Sequence, residues 1–172
     1  MIVRPATAAD LPATLALVNH YVETGVAHFA TRPFTLEEAA RDWTARHARY
    51  PEVVATDEAG LVIGLAKAAP WKERGGYAYS VEVGIYVSPD HLGQGVGTAL
   101  YAALVPAIEA AGFRTLVAGI TLPNPASVAL HERLGFTHAG TLGRIGWKHD
   151  AWRDVGYWVL HVGDVDEAPG GV

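Results

Sequence analysis

The stretch of sequence that decides the fold is YVSPDHLGQGVGTAL, residues 86–100. An apolar run ends at Val87, a Ser-Pro turn follows, and Gly93, Gly95 and Gly97 lead into a helical pattern. A glycine-rich turn between a strand and a helix leaves backbone N–H groups unpaired at the helix N-terminus, where the helix dipole also favours an anion. These residues therefore predict a strand–turn–helix unit that binds a phosphorylated small molecule.

The spacing of the glycines fits neither of two common nucleotide-binding loops. A P-loop ends in Gly-Lys-Ser/Thr, but Thr98 follows Gly97 here without a lysine. The dinucleotide-binding fingerprint needs a third glycine where Thr98 stands. A glycine cluster on its own is also typical of an ordinary turn, and the flanking strand and helix are what favour phosphate binding.

Composition narrows the class of protein. The chain has 172 residues, 50% of them hydrophobic, with a net charge of -5 and no cysteine. One domain of this length can bury a core, and the negative charge argues against nucleic acid. The lack of cysteine excludes disulfides, zinc–thiolate sites and a cysteine nucleophile. Without a signal-peptide pattern or an apolar stretch of about 20 residues, we expect a soluble cytoplasmic protein that binds neither nucleic acid nor membranes.

Hydrophobic periodicity and turn residues predict the element order βααβββαβαββ, which is typical of one mixed α/β domain. Thr35 and Glu38 form a capping-box pattern before a helix that we expect to reach residue 49. We expect residues 1–163 to form the domain and residues 164–172 to form a flexible tail.

A strand predicted over residues 78–87 places one carboxylate among apolar residues. Because side chains alternate across a strand, Val81, Val83 and Ile85 share one face that suits a core, and Glu82 lies on the other. Burying a carboxylate costs several kcal/mol unless it is paired or has a function. Glu82 is therefore either a solvated residue on an edge face or a functional carboxylate.

A second segment, NPASVALHERLGF over residues 124–136, joins a polar turn, a short helix and a Gly-Phe strand entry. Together with the glycine turn it resembles the GNAT superfamily, the acyl-CoA-dependent N-acyltransferases. Over nearly its whole length the chain further resembles the phosphinothricin and methionine sulfoximine N-acetyltransferases. The segments that carry this second resemblance, in the family's order and spacing, are Asn19–Thr24, Pro70–Arg74, Ile85–Pro89, Leu122–Asn124, Leu130–Glu132 and Trp152–Trp158.

The resemblance implies a single GNAT-type α/β domain whose mixed, mostly antiparallel sheet is flanked by helices. In that fold the glycine turn holds the pyrophosphate of acetyl-CoA, and the second segment lies beside the pantetheine arm. The superfamily usually has Arg or Gln at the position of Leu92. Because leucine cannot bind phosphate, we expect main-chain N–H groups of the turn to bind the pyrophosphate. The cofactor-binding residues implied by the resemblance are Tyr86, Val87, Gly93, Gln94, Gly95, Val96, Gly97, Thr98, Asn124 and Ser127.

Glu82 and His131 are the catalytic residues that the resemblance implies. Glu82 is expected to draw a proton from the substrate amine through a water molecule. His131 stands where many GNAT enzymes have a tyrosine that protonates the departing thiolate, and its ordinary pKa of about 6.5 suits either donation or acceptance of a proton. Its role stays open between acid towards the thiolate and partner of Glu82, and a lone histidine is more often structural. The other histidines show no metal-ligand pattern, so we expect no metal.

Lys72 and Arg74 follow Trp71 between two predicted strands. Such a pair is by default a solvated basic loop. The resemblance instead makes both residues contacts to the acidic end of an amino-acid substrate. A carboxylate and a phosphinyl or sulfonyl oxygen both suit a lysine and the forked donors of arginine. It also places Tyr77 and Phe29 among the aromatic residues that line the same pocket.

The function implied by the resemblance is direct transfer of acetyl from acetyl-CoA to the α-amino group of a small amino acid of the phosphinothricin, methionine sulfoximine or methionine sulfone type. A homodimer is implied as well, with some loop residues around 72–77 reaching across its interface. We expect Trp147, Trp152 and Trp158 to serve core or interface packing. Two alternatives stay open, namely a GNAT enzyme that acetylates a peptide N-terminus or lysine, and an acetyl-CoA-binding module without turnover.

Overall fold

Seven strands and four helices, in the order expected from the sequence, make up residues 1–166, the part of the chain that a computed structural model describes. Residues 167–172, which hold most of the expected tail, lie outside the described residues. The strands are β1 (Ile2–Pro5), β2 (Glu52–Thr56), β3 (Val62–Pro70), β4 (Ser80–Val87), β5 (Thr115–Leu122), β6 (Thr137–Lys148) and β7 (Ala151–His161). The helices are α1 (Leu11–Thr24), α2 (Leu36–Arg46), α3 (Val96–Ala110) and α4 (Pro125–Arg133).

The strands form one sheet in the order β1-β2-β3-β4-β5-β7-β6, and its pairs are antiparallel except for β4 with β5. These two parallel strands pair only from Ser80 to Glu82, opposite Thr115 to Val117. Beyond that point they diverge, so within residues 1–166 no strand lies beside the edge of β4 from Val83 to Val87 on the β5 side. The split in the sheet creates the cavity described below.

Different helices cover the two faces of the sheet. α3 packs on one face, where its Leu100 and Ile108 are fully buried. α1 packs on the other face in a cluster that includes Leu65 of β3. Because side chains alternate along a strand, Lys67 and Ala69 share the α1 face with Leu65.

Two local differences from the sequence-based expectation have simple causes. The capping box of α2 is confirmed, with Thr35 Oγ1 accepting from the Glu38 N–H at 3.2 Å. The helix nevertheless ends at Arg46, because a turn closed by the Tyr50 N–H on the Arg46 carbonyl redirects the chain towards β2. β4 begins at Ser80 rather than at residue 78, because residues 75–77 form a 3₁₀ turn.

Asp10 is a buried carboxylate that we expect to stabilise the fold. It accepts hydrogen bonds from the two terminal nitrogens of Arg4 at 2.8 and 2.7 Å and from the Thr7 N–H at 2.8 Å. The Arg4 bonds hold the pKa of Asp10 well below its usual range, so the stabilisation is present above the ordinary carboxyl pKa and is lost as the pH falls through the depressed one. Asp10→Asn should lower the free energy of unfolding at neutral pH by about 2–3 kcal/mol, measured by urea denaturation. The exposed control Glu58→Gln should change it by less than about 0.5 kcal/mol, and equal losses in both variants would contradict this role.

Candidate functional site

A cavity of about 1200 Å³ opens where β4 and β5 diverge. One end is lined by the glycine turn and by the start of α4. The other end is lined by the loop between α1 and α2 and by the β6–β7 hairpin. Glu82 and His131, the two predicted catalytic residues, both line this cavity.

The glycine turn presents unpaired backbone donors to the cavity. Gly93 and Gly95 adopt positive φ angles of 75° and 81°, a conformation that L residues with side chains rarely take, and Gly95 is the N-cap of α3. The first hydrogen bond of the helix is donated by the Ala99 N–H to the Gly95 carbonyl oxygen, at 3.0 Å. Among the described residues, no main-chain or side-chain acceptor binds the N–H groups of residues 93–98. This end of the cavity is therefore built to receive an anion.

The start of α4 forms the second wall of this end. Asn124 caps the helix, and its side-chain oxygen accepts from the Ser127 N–H at 3.1 Å. A Cβ on Gly97 would lie 3.0 Å from Leu130 Cδ2, so the glycine lets α3 and α4 approach closely. The N-terminus of α3 and the N-terminus of α4, capped by Asn124, both border the cavity, and each helix dipole favours negative charge there.

The structure brings the predicted cofactor residues together. Nine of the ten line the cavity. The exception is Gln94, whose side-chain amide donates to the Asp90 carbonyl at 2.9 Å and so holds the turn from outside the lining. Leu92 lies at the rim with 59% of its surface exposed. The anion-binding capacity of the turn thus comes from its main chain.

Glu82 is a carboxylate in the lining of the cavity, and its side chain is exposed to that space. It pairs across the sheet with Ala69 and so lies on the α1 face. A Cβ on Gly119 would lie 3.5 Å from Glu82 Oε1, so this glycine leaves room for the carboxylate. Burial raises the pKa of Glu82, and the positive charge of Lys72 opposes the rise. Glu82 is therefore a stronger base than a fully solvated glutamate.

Two phenols lie close enough to Glu82 to sense its charge. Burial, followed by the negative charge of Glu82, raises the pKa of Tyr86 to about 12. The same two causes raise the pKa of Tyr157. Both hydroxyls are therefore protonated at neutral pH and able to donate hydrogen bonds.

His131 reaches the cavity from the opposite face of the sheet. It is 2% exposed, between the rings of Tyr101 on α3 and Phe136. Its Nδ1 lies 2.7 Å from the Ser127 carbonyl oxygen, which only accepts, so Nδ1 carries a hydrogen. Nε2, 2.8 Å from the Tyr101 hydroxyl, then accepts from it. Burial lowers the pKa of His131 and so favours the neutral ring, although the hydrogen bond to the Ser127 carbonyl acts in the opposite direction.

The predicted substrate residues fall into two groups. Phe29 lines the cavity. Lys72, Arg74 and Tyr77 are exposed on the loop between β3 and β4, outside the lining of the cavity. The charge of Lys72 nevertheless acts on Glu82. Contacts from these three loop residues to a substrate stay a prediction.

Among the residues that line the cavity, sequence reasoning did not single out Tyr21, His28, Lys67 and Tyr157. The Tyr21 hydroxyl donates to the Val87 carbonyl at 2.6 Å, which ties α1 to the end of β4. His28 Nδ1 accepts from the Ala30 N–H at 3.0 Å, so its Nε2 carries the hydrogen when the ring is neutral.

The loop between α1 and α2 is fastened to the β6–β7 hairpin. Lys148 Nζ donates to the carbonyl oxygens of Val22 at 2.6 Å and His28 at 2.5 Å. The Phe29 ring packs so closely on Gly146 that any Cβ there would overlap it. These contacts fix the wall of the cavity that faces Glu82.

Within residues 1–166, no group of three or more His, Asp or Glu side chains is placed to hold a metal ion. None of the helices in this part of the chain is long and apolar enough to span a bilayer.

Comparison with known proteins gives concordant results. The model of the Acetyltransferase (GNAT) family matches residues 15–136. The phosphinothricin N-acetyltransferase of Streptomyces viridochromogenes is 49% identical over 156 residues, which cover 91% of this chain and 85% of that protein. The L-methionine sulfoximine/L-methionine sulfone acetyltransferase of Pseudomonas aeruginosa is 37% identical, with 97% of this chain and 98% of that protein covered.

Among solved structures, a GNAT superfamily phosphinothricin acetyltransferase from Sinorhizobium meliloti, in complex with AcCoA, superimposes with a TM-score of 0.93. It is 37% identical to this chain, and the match covers 98% of this chain and 92% of that one.

Proposed function

The chain belongs to the Acetyltransferase (GNAT) family, and on that premise we propose that it moves the acetyl group of acetyl-CoA to the α-amino group of a small amino acid. The acceptors that we propose are of the phosphinothricin, methionine sulfoximine or methionine sulfone type, after the names of its relatives. The observation that carries the proposal is a single cavity with an anion-binding turn at one end and a partly desolvated carboxylate, Glu82, in its wall.

The residues of the glycine turn fit the donor. A pyrophosphate carries negative charge that the unpaired N–H groups of residues 93–98 and the N-terminus of α3 would bind. The start of α4, capped by Asn124, would lie beside the pantetheine arm. The unpaired edge of β4 from Val83 to Val87 offers main-chain N–H groups that would polarise the thioester carbonyl.

The proposed reaction needs one base and one acid. The amine nitrogen attacks the thioester carbonyl carbon, so a C–N bond forms and the C–S bond breaks. Glu82, directly or through water, accepts the proton that the nitrogen loses, and the departing thiolate takes up a proton to leave as a thiol. Per turnover, acetyl-CoA and a protonated amine yield the amide, free coenzyme A and one proton, which Glu82 returns to solvent.

The position of His131 favours one of its two predicted roles. It belongs to α4 and packs on Tyr101 of α3, on the face where we place the donor, whereas Glu82 lies on the α1 face. This separation argues against sharing the amine proton with Glu82. Donation to the thiolate would require the charged ring, because in the neutral ring the Nδ1 hydrogen is bound to Ser127 and Nε2 accepts from Tyr101. The bond to the Tyr101 hydroxyl reverses direction once Nε2 is protonated, because the hydroxyl oxygen also accepts.

Product analysis tests the proposed reaction. The full chain is incubated with acetyl-CoA and methionine sulfoximine, which offers both an α-amino group and a sulfoximine nitrogen, and the product is fragmented in a mass spectrometer. We expect the acetyl group on the α-amino nitrogen. We also expect double-reciprocal plots of the initial rate, with acetyl-CoA and the acceptor both varied, to give intersecting lines, as a ternary complex requires. Acetyl on the sulfoximine nitrogen would contradict the proposed acceptor atom, and parallel lines would contradict direct transfer.

The homodimer is supported by an exposed apolar group on the β6–β7 hairpin. Of the three tryptophans expected in core or interface packing, Trp158 is buried, but Trp147 and Trp152 are 54% and 57% exposed. Ile145, also exposed, lies beside them and lines the cavity together with Trp147. Contiguous exposed apolar surface of this kind marks protein interfaces. A second copy of the chain on this hairpin would bury it and complete the wall of the cavity.

Size-exclusion chromatography with light scattering, which gives the mass of the eluted protein, tests this dimer. The wild type should elute at twice the mass of the chain, and Trp152→Ser should shift the population towards monomer because it removes apolar area from the interface. Leu61→Ser, at a leucine in the turn between β2 and β3 that is 66% exposed, is the control and should stay dimeric. A monomeric wild type would contradict the dimer.

A further inference from the structure

Lys67 is a cation inside the cavity that the steps above leave without a role. On β3 it pairs with Glu52 of β2 on one side and with Gly84 of β4 on the other. The next pair on the same face is Ala69 with Glu82. Lys67 and Glu82 are therefore diagonal neighbours on the α1 face. Residues related in this way on adjacent strands lie about 7–8 Å apart.

The ammonium group of Lys67 has no hydrogen-bond or ion-pair partner in the part of the chain that the structure describes. Lys148, the buried lysine nearby, instead donates to two carbonyl oxygens. Glu52 makes no ion pair with Lys67, and burial raises the pKa of Glu52 more than the charge of Lys67 lowers it. A partly buried ammonium without a partner is unfavourable, and an anionic ligand would offset that cost.

The space beside Lys67 is open to such a ligand. Gly84, its partner on β4, has no side chain, and a Cβ there would meet nothing nearer than the Tyr86 ring at 3.6 Å. On the side of the α1–α2 loop, His28 faces Lys67, and its pKa is lowered by burial and then by the charges of Lys67 and Lys148. A neutral imidazole there neither repels the lysine nor competes for an anion.

We propose that Lys67 binds the α-carboxylate of the acceptor amino acid and thereby determines specificity for amino acids over simple amines. This inference rests on the proposed function. In an amino acid the carboxylate carbon is two bonds from the α-nitrogen, so an acceptor whose amine lies at Glu82 places its carboxylate towards the diagonal position. Lys72 and Arg74 are then left for the polar end of the acceptor's side chain.

The test compares methionine sulfone with 3-(methylsulfonyl)propan-1-amine, the same molecule without its carboxylate. In Lys67→Met, KM for methionine sulfone should rise by roughly 10- to 100-fold with a much smaller change in kcat, because a charged hydrogen bond is lost. For the decarboxylated amine, kcat/KM should stay within about twofold of the wild type, because no charge pair is involved. Lys67→Arg should restore most of the preference for the carboxylate.

Arg41→Met, which removes an exposed cation of α2 outside the cavity, is the matched control and should leave both acceptors unaffected. KM for acetyl-CoA should be unchanged in every variant. If Lys67→Met does not fold, Lys67→Gln is compared in the same way. A variant that keeps the wild-type preference, or loses activity equally on both acceptors, would overturn the assignment of Lys67. A wild type that acetylates neither compound would instead overturn the proposed function on which this assignment rests.

Discussion

Replacing Glu82 with Gln should lower kcat/KM for methionine sulfone by about 10²- to 10³-fold at neutral pH, the range that loss of a general base produces. The amide has nearly the shape of the carboxylate, so packing around Gly119 is preserved while the proton acceptor is lost. The rate of free thiol release from acetyl-CoA measures the effect. Glu73→Gln, on the exposed loop between β3 and β4, is the control and should keep the wild-type rate.

The pH profile separates loss of a base from loss of structure. Glu82 accepts a proton only when it is ionised, so wild-type kcat/KM should fall as the pH drops through the pKa of this group. Because burial raises that pKa, the fall should occur at higher pH than for a solvated glutamate. The Glu82→Gln variant should lack this fall in kcat/KM at low pH. A variant that retains both the wild-type rate and the fall would show that Glu82 is not the base.

Replacing Gly95 with Ala should raise KM for acetyl-CoA about tenfold or more. An alanine at a φ of 81° is strained by about 1–2 kcal/mol, and relief of that strain turns away the N–H groups that the pyrophosphate needs. The alanine methyl itself meets no atom within 4 Å, so the effect is conformational rather than steric. Titration calorimetry with acetyl-CoA checks the affinity independently of turnover.

Gly60 provides a matched control for backbone strain. It has a φ of 82°, and its Cβ would also meet no atom within 4 Å, but it lies in the β2–β3 turn away from the cavity. Gly60→Ala should therefore cost similar stability without a change in KM for acetyl-CoA. Leu92→Ala, at the exposed rim, should also change KM little. Equal affinities in the Gly95 and Gly60 variants would contradict phosphate binding by the turn.

The parts of the site that sequence could predict have strong local signals. The positive φ angles of Gly93 and Gly95 follow from the glycine turn, and the cap at Asn124 follows from a polar turn before a helix. Alternation along β4 singled out Glu82. The same reasoning applied to VIGLAKAAP of β3 would have found Lys67, a charged residue within an apolar strand. Local alternation does not show, however, that Lys67 lies beside Glu82, because strand order is not written in the local sequence.

Other features depend on contacts between distant segments. Tyr157 reaches the cavity because β7 pairs with β5 opposite Gly119. The predicted element order ends in two strands, but it does not indicate that β6 and β7 form a long hairpin with two register shifts. Lys72 and Arg74 are exposed, as the default for a basic loop predicts, but their place outside the lining of the cavity depends on how this loop is positioned by the strands on either side.

Thiol release from acetyl-CoA by the full chain, measured with several acceptors in one assay, tests the proposed acetyl transfer most directly. The acceptors are phosphinothricin, methionine sulfoximine, methionine sulfone and a short neutral peptide with a free N-terminus. We expect kcat/KM for the best free amino acid to exceed that for the peptide by at least about 100-fold, because the cavity places a base and a cation for an amino acid's own amine and carboxylate. Tight binding of acetyl-CoA with no thiol release for any acceptor, or a preference for the peptide, would contradict it.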